Sequence, residues 1–317
     1  MKTFERSFRL EASEGLGGKP RPELIGPVLA HLHDTLQDTV RMGFLHSSRT
    51  RGRVPASLRL AADVRYIGHS ADGEAATLLH FEVPSFGEAA ADLYRQQSLW
   101  VDGPQPEQTA FELLGSALSD VAARCADSSR FDGGLLRRFA SYRRMFGRGH
   151  LTRIALPDAA LPQPGQLDAS VVEAARALYS ATPSPRRVRV AGRLDLLGAS
   201  QGVLKLDTGQ GNVVTALWEG DAAVESLKDY FNRDVVIEGM AMFRPSGALL
   251  RVDASAIAAA SDRDDFFRTV PSGALVQDLH RIARLRPGEK SVYARILGGI
   301  PAEETDEEFA AAVEAMS

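Results

Sequence analysis

The change to period-two patterning at Arg187 constrains this chain more than any other feature. In "RRVRVAGRLDLL", Val188, Val190, Gly192 and Leu194 fall on one face, with Arg187, Arg189 and Arg193 opposite. Strand side chains alternate between faces, so the stretch reads as a strand with one buried side. "GVLKLDTGQGN" contributes Leu204 and Leu206 and closes on a Gly-Gln-Gly turn, and "VVTALW" supplies a third strand. "DAAVESLKDYFN" then places Val224, Leu227 and Phe231 at helical spacing. "RDVVIEGMAMFRP" and "GALLRVDASAI" return to alternation, joined through Arg244-Pro245-Ser246-Gly247.

Three strands, one helix and two strands over residues 186–261 resemble an OB-fold, a five-stranded Greek-key barrel with a helix between its third and fourth strands. Gly192 and Gly239 stand where sharply bent barrel strands call for glycine. The resemblance implies a fold and leaves the ligand open, because such barrels take single strands, sugars or peptides. From Arg186 to Ala260, nine lysines and arginines stand against nine acidic residues, and Trp218 and Phe243 are the large candidates for exposed aromatics. A single-strand binder offers several aromatics in a basic groove. The barrel is therefore expected to bind protein or to pack on its own chain.

The fold class read from the whole chain is α+β, with an N-terminal two-layer domain over residues 1–155. Phe8, Leu10 and Ala12 mark an opening strand, and Ile25, Leu29, Leu32, Leu36 and Val40 mark a long helix with Pro27 near its start. Alternation predicts a strand through Leu58, Leu60, Ala62, Val64 and Tyr66, and a partner with Leu79, Phe81 and Val83 inward. Helices are expected near 86–97, 107–126 and 132–146. Cys125 extends the stripe Phe111, Leu114, Leu118, Val121, which predicts a buried thiol. The proline-rich "LPDAALPQPGQ", a short helix at 169–180 and "TPSP" read as a linker over 156–185, and residues 262–317 as a helical acidic tail.

Gly198-Ala199-Ser200-Gln201-Gly202 fits G-x-S-x-G. A nucleophile elbow runs from strand to turn to helix, whereas "VLKLDT" behind Ser200 alternates as a strand does. Ser200 therefore reads as a turn residue, with His280 the single later histidine. His31 and His33 are two apart on a helix and cannot share a metal as an i, i+4 pair does. Gly15–Gly18 lacks the Gly-Lys-Ser/Thr ending of a phosphate loop. No catalytic residue, cofactor or metal is expected.

With no apolar run near the roughly 20 residues of a membrane span, the expectation is a cytoplasmic protein with no membrane partner. The net charge of −4 argues against a surface given over wholly to nucleic acid, which binds by phosphate neutralisation. Two local clusters keep a nucleic-acid reading open. Arg49, Arg51 and Arg53 space through "HSSRTRGRVP", and Arg137, Arg138 and Arg144 line one side of "LLRRFASYRRMFGR" beside the stripe Leu135, Phe139, Tyr142, Phe146.

The tail "ILGGIPAEETDEEFAAAVEAMS" carries a Thr305–Glu308 capping box, the apolar pair Phe309 and Val313, and six acidic residues from Glu303 to Glu314 with no basic one. It resembles the Gly-x-Trp-Pro-x-x-Glu-Ser/Thr-Asp-Glu-Glu endings of bacterial antitoxins encoded beside small toxins, often PIN-type nucleases, through Gly298 or Gly299, Pro301, Glu304, Thr305, Asp306, Glu307 and Glu308. Ile300 stands in place of the pattern's Trp, and Ala302 in place of its Gly. The resemblance implies a protein partner, with Arg286 or Arg295 entering an acidic metal pocket of the nuclease. Pro301, Glu304, Asp306, Phe309 and Val313 would then hold the helix. The expectation is a non-enzymatic bacterial interaction protein; the alternative is a nucleic-acid binder using the two arginine clusters.

Overall fold

The computed structural model describes residues 3–13, 19–49, 54–96, 103–148, 151–156, 165–198, 202–209, 211–220 and 223–273. The chain divides into two compact units, Met1–Gly273 and Ala274–Ser317. All described residues belong to the first. Arg51, Arg53 and Ser200 lie outside them, as do Arg286, Arg295, Pro301, Glu304, Asp306, Phe309 and Val313.

The α+β class holds. The chain runs β1 (Thr3–Ala12), α1 (Pro22–Leu45), α2 (Ala56–Ala61), β2 (Arg65–Asp72), β3 (Ala76–Pro84), α3 (Phe86–Ala89), α4 (Ala91–Gln96), α5 (Ala110–Ala122), α6 (Gly133–Ser141), α7 (Arg143–Arg148), β4 (Leu151–Ala155), β5 (Gln166–Asp168) and α8 (Ala169–Ala181). The strands form one antiparallel sheet in the order β2-β3-β1-β4-β5. Helices cover it, and Phe8, Phe81 and Phe111 meet edge to face or tilted at centroid separations of 4.9 to 5.9 Å. The segment read as a linker adds β5 to the sheet edge, and Val171, Val172, Ala175 and Leu178 of α8 are buried in the same core.

The barrel follows as β6 (Arg186–Gly198), β7 (Val203–Asp207), β8 (Val213–Trp218), a 3-10 segment (Val224–Tyr230), β9 (Asp234–Phe243) and β10 (Leu249–Ala259). It is closed, in the order β10-β8-β7-β6-β9, with β8 and β10 parallel and the other pairs antiparallel. This mixed five-stranded closure is consistent with an OB-like barrel. Val190, Leu194, Leu204, Leu206, Ile237 and Val252 fill it, and Leu227 of the 3-10 segment packs into the same cluster. Both bend glycines are sterically required: a Cβ on Gly192 would sit 2.7 Å from the Asp207 carbonyl oxygen, and one on Gly239 would overlap that of Asp253.

Four local readings change. The alternation from Leu58 to Ala62 is helical, because Pro55 opens α2 and buries Leu58, Ala61 and Ala62 at three- and four-residue steps while Leu60 faces out. Cys125 is exposed: α5 ends at Ala122, Arg124 takes a left-handed φ of 52°, and Cys125 donates its N–H to the Asp120 carbonyl, closing a Schellman turn that leaves the stripe behind. β4 and β5 add strands after the helices. The segment after β8 is 3-10 rather than α, which puts Phe231 out at the surface.

Gly198 and Gly202 flank the segment holding Ser200. The Gly202 N–H donates to the Gly198 carbonyl at 2.8 Å, and Gly202 takes φ +67°. β6 and β7 pair antiparallel up to Gly198 and Val203, so strand lies on both sides of this segment, where an elbow requires a helix on one.

Candidate functional site

Asp132, the N-cap of α6, organises the junction of sheet, helices and barrel. Its carboxylate accepts from the Leu135 N–H (2.9 Å), the Ser48 N–H (3.0 Å) and the Ser48 hydroxyl (2.6 Å). Arg251 of β10 reaches it at 3.4 Å and donates to the His46 carbonyl at 2.7 Å. Ser47, Ser48, Asp132 and Arg251 are all buried. A Cβ at Gly134 would overlap the Ser48 hydroxyl oxygen, so this glycine is needed for the close approach.

The predicted arginines do not form one face. Arg138 is drawn onto α1, where it donates to Asp38 at 2.9 Å and Asp34 at 3.2 Å. Burial raises the Asp38 carboxyl above its ordinary range, against the opposing pull of Arg138. Arg137 donates to the Tyr179 hydroxyl at 2.6 Å and lies 5.2 Å from that ring's centroid. Arg49 is exposed beside the buried Ser47–Ser48 turn. Of the second cluster Arg138 is ion-paired, Arg137 is exposed with its charge met by a neutral phenol, and Arg144 has no side-chain partner among the described residues.

Arg144 lines a groove of about 1040 Å³ between the first half of α1, the α6–α7 corner and α8. Leu24, Pro27, Met145 and Leu151 give it aliphatic walls, and His31, Arg143, Arg144 and Arg176 carry basic groups around them. Arg143 and Arg144 are exposed and form no ion pair among the described residues. Projection of 132–146 as one helix missed this site. α6 ends at Ser141, Tyr142 forms its C-cap and α7 starts afresh, so Arg143 and Arg144 leave the direction set by Arg137 and Arg138. The Arg143-Arg144 pair at that break was the available signal.

The barrel presents a different surface. Val203 of β7, Leu217 of β8 and Leu250 of β10 are buried in the core shared with the helical layer, so that side faces its own chain. The loop after β9 is tied down as well: Arg244 donates to the Asp127 carbonyl at 2.9 Å, and the Ser246 hydroxyl to its carboxylate at 2.9 Å. On the outer side, a 3-10 segment (Asp262–Arg268) brings up the Phe266–Phe267 pair. Arg189 stands 5.9 Å from the Phe267 ring centroid and is ion-paired with Glu238, which Arg187 also approaches at 3.4 Å. Arg268 joins Asp234 and Asp265, each at 3.0 Å. Phe266 remains 83% exposed and Phe231 52%. Among the described residues from Arg186 to Gly273 these two are the exposed aromatics; of the two expected outside, Trp218 is half-buried against the barrel core and Phe243 is buried beneath Arg186.

Among the described residues no His, Cys, Asp and Glu gather as metal ligands, and no helix is long and apolar enough to cross a membrane. Comparison of the chain with protein-family models, with curated proteins and with solved structures gives no match.

Proposed function

We propose that this chain is a non-enzymatic, cytoplasmic bacterial interaction protein that binds a protein partner through the outer side of an OB-like barrel and its C-terminal tail. The observation that carries the reading is Phe266, a large apolar side chain 83% exposed beside arginines already neutralised by Glu238, Asp234 and Asp265. An aromatic anchor within an electrically balanced surface suits a protein partner. A phosphate backbone would instead call for unneutralised cations. In OB barrels the second and third strands carry the oligonucleotide face; here those strands, β7 and β8, lend Val203 and Leu217 to an internal core, which weighs against the nucleic-acid alternative. The antitoxin-like ending supports a nuclease toxin as partner on sequence resemblance alone.

The test is co-expression with the products of adjoining genes, followed by native mass spectrometry. A stoichiometric complex weakened at least tenfold by Phe266→Ala, and abolished by removing residues 298–317, supports the proposal. A complex with single-stranded nucleic acid that survives physiological salt and is lost on replacing Arg137, Arg138 and Arg144 would move the assignment to the alternative.

A further inference from the structure

The groove at the α6–α7 corner lies apart from the Phe266 surface, and its chemistry differs. We infer that it is a docking site for an acidic peptide segment carrying an aliphatic anchor, such as one face of a short amphipathic helix on a partner protein.

The walls set the first half of the requirement. Leu24 and Pro27 of α1, Met145 of α7 and Leu151 of β4 are aliphatic. Such walls favour an aliphatic or thioether side chain, and methionine adapts to anchors of varied shape. The volume of about 1040 Å³ lies just above the range of about 300–1,000 Å³ for small-molecule sites, which suits a segment with several side chains.

The basic groups set the other half. Arg143 and Arg144 project from α7 with no carboxylate partner among the described residues. Arg176 is held at 2.9 Å by Glu173 and extends the same positive edge from α8. His31 donates its Nδ1–H to the Pro27 carbonyl (3.2 Å) and packs edge-on to Tyr142 at 5.6 Å, which fixes its ring against the wall. Glu23 is the one acidic residue among the described residues of the lining. Two free guanidiniums beside an apolar trough match carboxylates spaced around an apolar anchor, with bidentate pairing to each. Nucleic acid fits less well, because the described lining holds no Phe, Tyr or Trp for a base to stack on, and its one ring, His31, is held edge-on to Tyr142.

The experiment uses the full chain and a fluorescent twelve-residue peptide in which glutamates and leucines recur at helical spacing, read by anisotropy. Controls replace every glutamate by lysine or every leucine by serine. The expected result is saturable binding that weakens at least tenfold with either control and with the Arg143→Glu/Arg144→Glu double substitution. Leu24→Asp should weaken it similarly, whereas Arg187→Glu on the barrel should not. Circular dichroism checks that the variants remain folded, and Arg143→Gln/Arg144→Gln gives a second, gentler charge removal. Phe266→Ala should leave peptide binding unchanged, so this site and the barrel surface fail independently. Three results would overturn the inference: no saturable binding, binding indifferent to Arg143 and Arg144, or tighter Arg143/Arg144-dependent binding of single-stranded oligonucleotide. Equal competition by inorganic phosphate alone would also overturn it, reducing the groove to a simple anion site.

Discussion

Arg251 on β10 and Asp132 at the start of α6 lie 3.4 Å apart, 119 positions apart in sequence, with 3% and 6% of their side chains exposed. The pair joins the barrel to the helical layer at the point where Asp132 also caps α6 and holds Ser48. Asp253 supplies Arg251 with a second carboxylate at 2.6 Å.

Removing one member of a buried, hydrogen-bonded charge pair leaves the other uncompensated, a loss of about 3–5 kcal/mol. Asp132→Ala should destabilise the protein by that order, since it also leaves the Ser48 and Leu135 N–H groups without their acceptor. Arg251→Met should cost less, because Asp132 keeps three donors. Urea denaturation of both singles and the double measures the coupling; additive effects would show that the pair does not act as a unit.

Glu11 and Arg153 are paired across β1 and β4 at 2.6 and 2.9 Å. The Arg153 hydrogen bond holds the Glu11 carboxyl below its ordinary range, assisted by the charges of Arg153 and Arg9. A depressed folded value means the contribution is fully present above the ordinary glutamate range and disappears as pH falls through the folded value. Glu11→Gln should therefore reduce stability at neutral pH by on the order of 0.5–1 kcal/mol and flatten the acid limb of the stability profile. Parallel acid limbs for wild type and variant would contradict it.

Two glycine substitutions should act in opposite directions. A Cβ at Gly239 would strike the Asp253 carbonyl of the neighbouring strand, and overpacking of this kind costs about 1–3 kcal/mol. Nothing beyond its chain neighbours lies within 4 Å of a Cβ at Gly26, inside α1; alanine's helix preference of about 1 kcal/mol applies there, reduced by the crowding of that Cβ against the Pro27 ring. Gly239→Ala should lower Tm and Gly26→Ala raise it.

Residues 186–261 carry a complete barrel core, so the excised segment should fold as β-structure. Excision uncovers Val203, Leu217 and Leu250 together, and the isolated barrel should therefore self-associate. Leu217→Ser/Leu250→Ser should restore a monomer, seen by analytical ultracentrifugation. In the full chain, truncating either leucine to alanine should cost about 2–5 kcal/mol.

How much was legible in the sequence depended on the range of the interaction. Alternation at Val188, Val190 and Leu194, and helical recurrence at Leu32, Leu36 and Val40, report backbone geometry over a few residues. The barrel strands, the long α1 and the α+β class were therefore readable, as was the need for Gly192 and Gly239. The strand reading of Leu58 to Ala62 failed because five residues fit both periods, and Pro55 together with burial of Ala61 decided for helix.

Which arginines remain available was not readable. Arg137, Arg138 and Arg144 look equivalent along the chain, yet Tyr179 engages the first, Asp34 and Asp38 the second, and the third lines the groove at the α6–α7 corner. Likewise Val203 and Leu217 pair on the outer faces of β7 and β8, opposite Leu204 and Ala216, and nothing local shows that a helical layer covers them. Local periodicity follows from the geometry of one peptide segment. The state of a charge or an apolar face depends on what the fold brings to it from about a hundred residues away, as Asp38 and Arg138 do from 100 positions apart. Only the folded chain sets desolvation and ion pairing of that range.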